Sequence, residues 1–158
     1  MSSCADNWDR WMLAAIEQAR AAEQLDDVPI GAVIVKDDQL LAAAHNRRII
    51  DADPTAHAEV LAIRAAAAAL GDWRLNGCSL VVTLEPCPMC AGAIVLARLD
   101  RVVYGATDPK AGAVGTLYEM LSDTRLNHQA QVIAGVRAEQ CGSMLTEFFR
   151  RQRAMGKK

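Results

Sequence analysis

Ser79-Leu-Val-Val-Thr-Leu-Glu-Pro-Cys-Pro-Met-Cys90 decides the fold, because its character changes once and abruptly. Ser79–Leu84 is a short, largely β-branched apolar run of the kind that makes a buried strand. Pro86 or Pro88 then opens a helix that runs to about Arg98, since the first helical turn has no use for the N–H that proline lacks. Cys87 and Cys90 stand three residues apart at that helix start, so their sulfurs lie on one face and can share a metal. Free N–H groups and the positive end of the helix dipole favour thiolate there.

Working outward, Asp53 followed by Pro54 predicts an N-cap and first helical residue, and Gly71 stops that helix. Its first turn contains His57-Ala-Glu59. Ile30–Lys36 and Leu40–Ala44, separated by Asp37-Asp38-Gln39, predict a hairpin. Trp8 to about Leu25 predicts a helix, with Trp11, Ala15, Gln18 and Ala22 marking successive turns. Downstream come a strand at Arg101–Ala106, a glycine-rich loop, a short helical piece near Leu117–Leu121 and a strand at Gln131–Val136. Cys141, Met144, Leu145, Phe148 and Phe149 form one apolar stripe on a last helix, so one of the two phenylalanines at least belongs to the core. No linker or repeat interrupts this order. It predicts a single domain over residues 1–158, a three-layer α/β/α sandwich around a five-stranded mixed sheet.

A chain of 158 residues can close a core without disulfides. The five cysteines are odd in number and not spaced as a disulfide framework; a Cys-x-x-Cys pair points to a metal or redox role in a reducing compartment. Cys78 and Cys141 read as small core residues, Cys4 as an inert residue of a frayed terminus, and Cys78 as a distant candidate for a fourth, structural ligand. The apolar runs Ile30–Val35 and Ala91–Ala97 are too short to cross a bilayer, and no segment has the form of a signal peptide. A cytoplasmic protein without membrane contact is expected. Net charge is −2, unevenly placed. Residues 1–31 carry Asp6, Asp9, Glu17, Glu23, Asp26 and Asp27 against Arg10 and Arg20. Residues 137–158 carry Arg137, Arg150, Arg151, Arg153, Lys157 and Lys158 against Glu139 and Glu147. Such asymmetry suits contact with a polyanion, or simply a solvated helix end.

One imidazole and two thiolates, His57, Cys87 and Cys90, form a borderline-soft set for which zinc is the fitting metal. Side chains two apart on a helix diverge by roughly 200°. His57 and Glu59 therefore converge on one centre only if it lies off the helix end, where a second helix start at Cys87 meets it. Three ligands leave zinc one open position for a water nucleophile, the mark of a catalytic rather than a structural site. Two thiolates cancel most of the cation's charge, so the water needs a base, and Glu59 is the acid placed to shuttle its proton. The joint pattern H-x-E…P-C-x-x-C is the known signature of nucleobase and nucleoside deaminases.

Val28-Pro-Ile-Gly-Ala-Val33, Asn46, Asp53-Pro-Thr-Ala-His-Ala-Glu59 and Val82–Gly92 resemble the bacterial tRNA-specific adenosine deaminase family, as do Arg101–Ala106, Gly112–Leu117, Asn127-His128 and Phe148-Phe149-Arg150. The middle blocks are shared with guanine deaminases and other free-base enzymes; the later ones favour the tRNA enzyme. The resemblance implies a cytidine deaminase-like fold, a homodimer with one zinc per subunit, and hydrolysis of adenosine to inosine at the wobble position of a tRNA anticodon stem-loop. It implies that Asn46 holds the flipped base, and that the Ala58 amide and Pro86 carbonyl lie near the reacting carbon. By the same resemblance Ile30, Leu84 and Phe149 would wall the pocket, and Asp108 and Lys110 would lie on a loop that approaches neighbouring nucleotides. The chain departs from the family at Gln152, where a basic residue is common. His45 reads as an ordinary strand-end residue, and Asn127-His128 as a turn or an RNA contact. The rival readings are a guanine or cytosine deaminase and a non-catalytic, zinc-stabilised RNA-binding module, which would need a fourth protein ligand.

Overall fold

The computed structural model describes residues 4–157, with side chains from residue 7 onward. The side chain of Cys4, and Lys158, lie outside the described residues. Helix α1 (Cys4–Gln24) leads into the hairpin β1 (Gly31–Lys36) and β2 (Gln39–His45). Helix α2 (Ala58–Leu70), strand β3 (Cys78–Leu84), helix α3 (Pro88–Ala97) and strand β4 (Arg101–Ala106) follow. A single 3-10 turn at Met120–Ser122, strand β5 (Gln131–Ile133) and helix α4 (Ala138–Ala154) complete the chain. The sheet order is β2-β1-β3-β4-β5. β1 is antiparallel to β2 and β3, whereas β3, β4 and β5 run parallel, so the sheet is mixed as expected.

Strand alternation sorts the core into two layers. Ala32, Ile34, Leu80, Val82, Val102 and Tyr104 face α2 and α3, packing on Ala58, Ala62, Ala66, Ile94 and Val95. Val33, Val35, Val81 and Val103 face the opposite way, onto Trp11, Met12, Ala15 and Ile16 of α1 and Cys141 of α4. Gly31 permits this closeness. A Cβ built there would lie 2.0 Å from the Ala15 carbonyl oxygen and 2.5 Å from the Ala19 nitrogen, so any side chain would push α1 off the sheet.

Three expectations needed correction. Asp53 does not cap α2: its Oδ1 accepts the Thr55 N–H at 2.8 Å and the Thr55 hydroxyl at 2.7 Å, closing a turn. The helix begins at Ala58 instead, with His57 as N-cap. The strand expected to reach Val136 ends at Ile133, because Gly135 takes φ +85° and the Gly135 and Val136 N–H groups both turn onto the Tyr104 carbonyl. The helical piece near Leu117–Leu121 shrinks to the turn at Met120–Ser122.

The uneven charge resolves in part within the molecule. Arg137 meets Asp9 at 2.6 Å, and Arg151 pairs with Glu23, so complementary charges link α4 to α1 near both ends. Among the described residues, no helix is long and apolar enough to cross a membrane.

Candidate metal centre and its cleft

The site forms where strands β2, β3 and β4 end and β1 begins. The helices α2 and α3 both start at this sheet edge, so His57 and Cys87 are the residues just before each helix. Both have extended backbones (φ −81°, ψ 147° for His57; φ −77°, ψ 174° for Cys87), and neither side chain is spent on capping its own helix. An N-cap residue projects beyond the helix end. This resolves the 200° divergence of His57 and Glu59: His57 is not helical, and Glu59 sits in the first turn behind it.

His57 Nδ1 lies 3.7 Å from Cys87 Sγ and 3.6 Å from Cys90 Sγ. The potential ligand atoms of these three residues all lie within 4.8 Å of one another. Zinc at tetrahedral angles, with Zn–S near 2.3 Å and Zn–N near 2.05 Å, separates N from S by about 3.6 Å. The triad is therefore pre-shaped for that ion. Its protonation tells the same story. Cys87 is pulled down to about 4, first by hydrogen bonding with Cys90 and then by His57, against the cost of burial. Cys90 is driven far up, first by Cys87 and then by burial and the charge of Glu59. Ionising the second sulfur beside the first is thus disfavoured. A divalent cation removes that obstacle. Cys78 lies outside this group at the far end of β3, its Sγ 3.9 Å from the Asn76 carbonyl, so among the described residues the cluster has three members.

Glu59 is only 4% exposed, and burial raises its carboxyl above the ordinary range while contacts with Cys90 and the charge of His57 oppose that rise. Asn46 is equally buried, and its Oδ1 accepts the Ala58 N–H at 2.9 Å. That bond ties the end of β2 to the first turn of α2. The Pro86 carbonyl accepts the Ala113 N–H at 2.9 Å, so the Ala58 amide and the Pro86 carbonyl are both engaged within the protein.

Above the triad opens a cleft of about 720 Å³, a size suited to a small-molecule or single-nucleotide ligand. Ile30, Asn46, His57, Glu59, Leu84, Cys87, Asp108, Lys110 and Phe149, all expected at the site, line it. Ala58, Pro86 and the fully buried Cys90 stand behind this lining. The paired phenylalanines divide as helical spacing requires: Phe148 is 5% exposed and belongs to the core, whereas Phe149 is 44% exposed and faces the cleft, its ring edge-on to Phe148 at 5.5 Å. His128 is structural, with Nε2 2.6 Å from the Leu99 carbonyl oxygen, and His45 ends β2 beside the Asn46 carbonyl.

Sequence reasoning did not single out every lining residue, and two charged ones matter most. Arg48 stands two residues after Asn46 on the turn before α2, and Glu85 comes just after β3, bonded to the loop 107–117. The doublet Arg47-Arg48 was a visible signal, and so was an acid placed immediately before Pro86.

Residues 6–153 match the MafB19-like deaminase family. A tRNA-specific adenosine deaminase of Bacillus subtilis (strain 168) is 54% identical over 143 residues, covering 90% of this chain and 89% of that protein. Among solved structures, one from biochemical and structural studies of A-to-I editing by tRNA:A34 deaminases at the wobble position matches with a TM-score of 0.83 and 45% identity. That match covers 86% of this chain and 99% of the other. A guanine deaminase of Bacillus subtilis matches with a TM-score of 0.60 and 43% identity, over 62% of this chain and 63% of the other. Of these two structures the tRNA deaminase superposes more fully, and the sandwich is the cytidine deaminase-like fold. With its sheet, its helix-end triad and nearly its whole length accounted for, the chain belongs to the MafB19-like deaminases and, among them, to the family of tRNA-specific adenosine deaminases.

Proposed function

We propose that this chain is a single-domain deaminase that hydrolyses adenosine to inosine and ammonia at the wobble position of tRNA. The observation that carries the reading is a buried acid, Glu59, set beside a three-member His/Cys/Cys cluster at the floor of a nucleotide-sized cleft. His57, Cys87 and Cys90 hold one zinc, which when bound supplies an activated water and electrophilic help at the reacting carbon. Asn46, fixed by its bond to Ala58, orients the flipped base, with Ile30, Leu84 and Phe149 as its apolar walls. Glu59 carries the proton of the attacking water to the purine ring and then protonates the departing ammonia. Burial keeps bulk water from short-circuiting that transfer. Asp108 and Lys110 on the loop beside the cleft, and Arg153 on α4, meet the flanking nucleotides.

The test is incubation of the zinc-loaded protein with an anticodon stem-loop carrying wobble adenosine, with inosine read by mass. Parallel samples receive free guanine, cytosine and adenine. Inosine is expected from the stem-loop and not from the bases, lost on zinc chelation and restored by zinc. Ammonia from a free base alone would move the assignment to a base deaminase.

The working assembly we propose is a homodimer in the cytoplasm. Met89 and Leu96, seven residues apart on one face of α3, are exposed, with Leu96 at 70%, which suits a face covered by a second copy. A solution mass near twice 17.0 kDa is expected by light scattering, and a monomer at assay concentration would contradict it.

A further inference from the structure

We infer that Arg48 anchors a backbone phosphate of the substrate, making the cleft selective for a nucleotide held in a chain; this rests on the tRNA reading above. Arg47 and Arg48 are adjacent but differently employed. Arg47 is committed to Asp51, with Nε and Nη2 at 2.9 Å and 3.0 Å from its two carboxylate oxygens. Arg48 points to the other side and lines the cleft with Asn46, His57 and Glu59.

Its anchorage is built from below. Asp27 is only 1% exposed, and its carboxylate already accepts the Val28 N–H at 2.8 Å and the Ile49 N–H at 3.0 Å. The Asp53 N–H closes the turn onto the Arg48 carbonyl at 3.0 Å. Backbone on both sides of Arg48 is thereby fixed. Arg48 Nε lies 3.9 Å from Asp27 Oδ1, within charge attraction but beyond hydrogen-bond reach, and among the described residues that buried Nε has no partner. Asp27 therefore attracts the guanidinium towards the cleft wall without consuming its donors. A planar, permanently charged fork with unspent N–H groups, rising from a fixed backbone, fits a phosphate diester. A free base brings no such group into the cleft; a nucleotide within RNA brings one on either side of the reacting base.

The test compares wild type, R48Q and R48K on an anticodon stem-loop between about 50 and 200 mM salt, reading both binding and kcat/KM. A second series replaces, one at a time, the phosphates flanking the target adenosine by uncharged methylphosphonate, which probes the wild type without any mutation. R48Q is expected to lower kcat/KM about tenfold and to flatten the log–log salt dependence by about one unit. R48K is expected to keep the slope while losing affinity, because the charge stays and the fork is lost. One neutralised linkage is expected to cost the wild type about tenfold and R48Q almost nothing. An unchanged salt slope in R48Q, or a wild type indifferent to every neutralised linkage, would overturn the assignment and leave Arg48 as a counter-charge for Asp27. A wild type that binds the stem-loop without forming inosine would instead overturn the tRNA reading, while the slope of binding still decides Arg48.

Discussion

Replacing Glu59 by alanine is expected to leave about one zinc per chain and a near-normal melting temperature, yet to slow inosine formation by about 10²–10⁴-fold, some 3–5 kcal/mol of barrier. The expectation follows from where Glu59 stands. It lies in the first turn of α2, two residues after the His57 cap, and it is not among the three groups that converge on the metal position. Removing it leaves the nitrogen and both sulfurs in place, so metal affinity is preserved. The neighbouring thiols even gain, since the carboxylate's charge opposes deprotonation of Cys90. What disappears is the buried carboxylate beside the triad, and with it the carrier for the proton that must travel from water to ring nitrogen to ammonia. Because Glu59 acts on the reacting atoms, kcat should fall while KM changes little. Glu59→Gln, which keeps the shape and removes the base, should behave alike. A purely structural role would instead give a lost zinc or a lowered melting temperature with residual turnover in proportion to folded protein. Turnover within tenfold of wild type, zinc retained, would sink the proposed mechanism.

Much of this site could be read before any coordinates, because its chemistry is concentrated in two short segments. Cys-x-x-Cys at a proline-marked helix start and His-x-Glu at another specify ligands by local spacing alone, and the strand Ser79–Leu84 was delimited to within a residue. Misreadings arose where a local rule met a closer competitor. Asp53-Pro54 has the form of a helix start, but Thr55 offers both an N–H and a hydroxyl two residues on, and the turn wins; the helix then starts where Asn46, twelve residues back, supplies the acceptor for Ala58. Residues hidden from sequence reasoning depend on partners far along the chain. Arg48 matters because Asp27 lies beneath it, and the charged ends matter because Arg137 and Arg151 each meet an acid 128 residues away. Spacing rules carry no information about such pairs.

Glu85→Leu is expected to lower stability by about 3–5 kcal/mol and the melting temperature by about 10 °C, and to cost activity well beyond the fraction unfolded. Glu85 is 2% exposed at the end of β3, two residues before a metal-site cysteine, and the loop 107–117 is wrapped around its carboxylate. Oε1 accepts the Asp108 N–H at 3.1 Å and the Thr116 hydroxyl; Oε2 accepts the N–H groups of Thr116 at 3.0 Å and Val114 at 3.3 Å. Gly112 lies so close that a Cβ there would come within 2.4–2.5 Å of the carboxyl atoms. Leucine fills a similar volume but accepts nothing, so three backbone donors would be left facing an apolar group. Each buried donor without a partner costs about 1–3 kcal/mol, and the loop can recover part of that only by opening to water. Opening moves Asp108 and Lys110, the groups we place against the flanking nucleotides, and frees the Pro86 carbonyl from Ala113. The signature that separates this from generic damage is local. Hydrogen exchange should quicken at Asp108, Val114 and Thr116 well before the strands β1 and β3, while zinc content stays near one per chain. Glu85→Gln, which retains one acceptor oxygen but turns an amide NH₂ towards the donors, should fall between wild type and leucine. If both variants melted within about 2 °C of wild type, with unchanged exchange at those three amides, the buried carboxylate would not be what holds the loop.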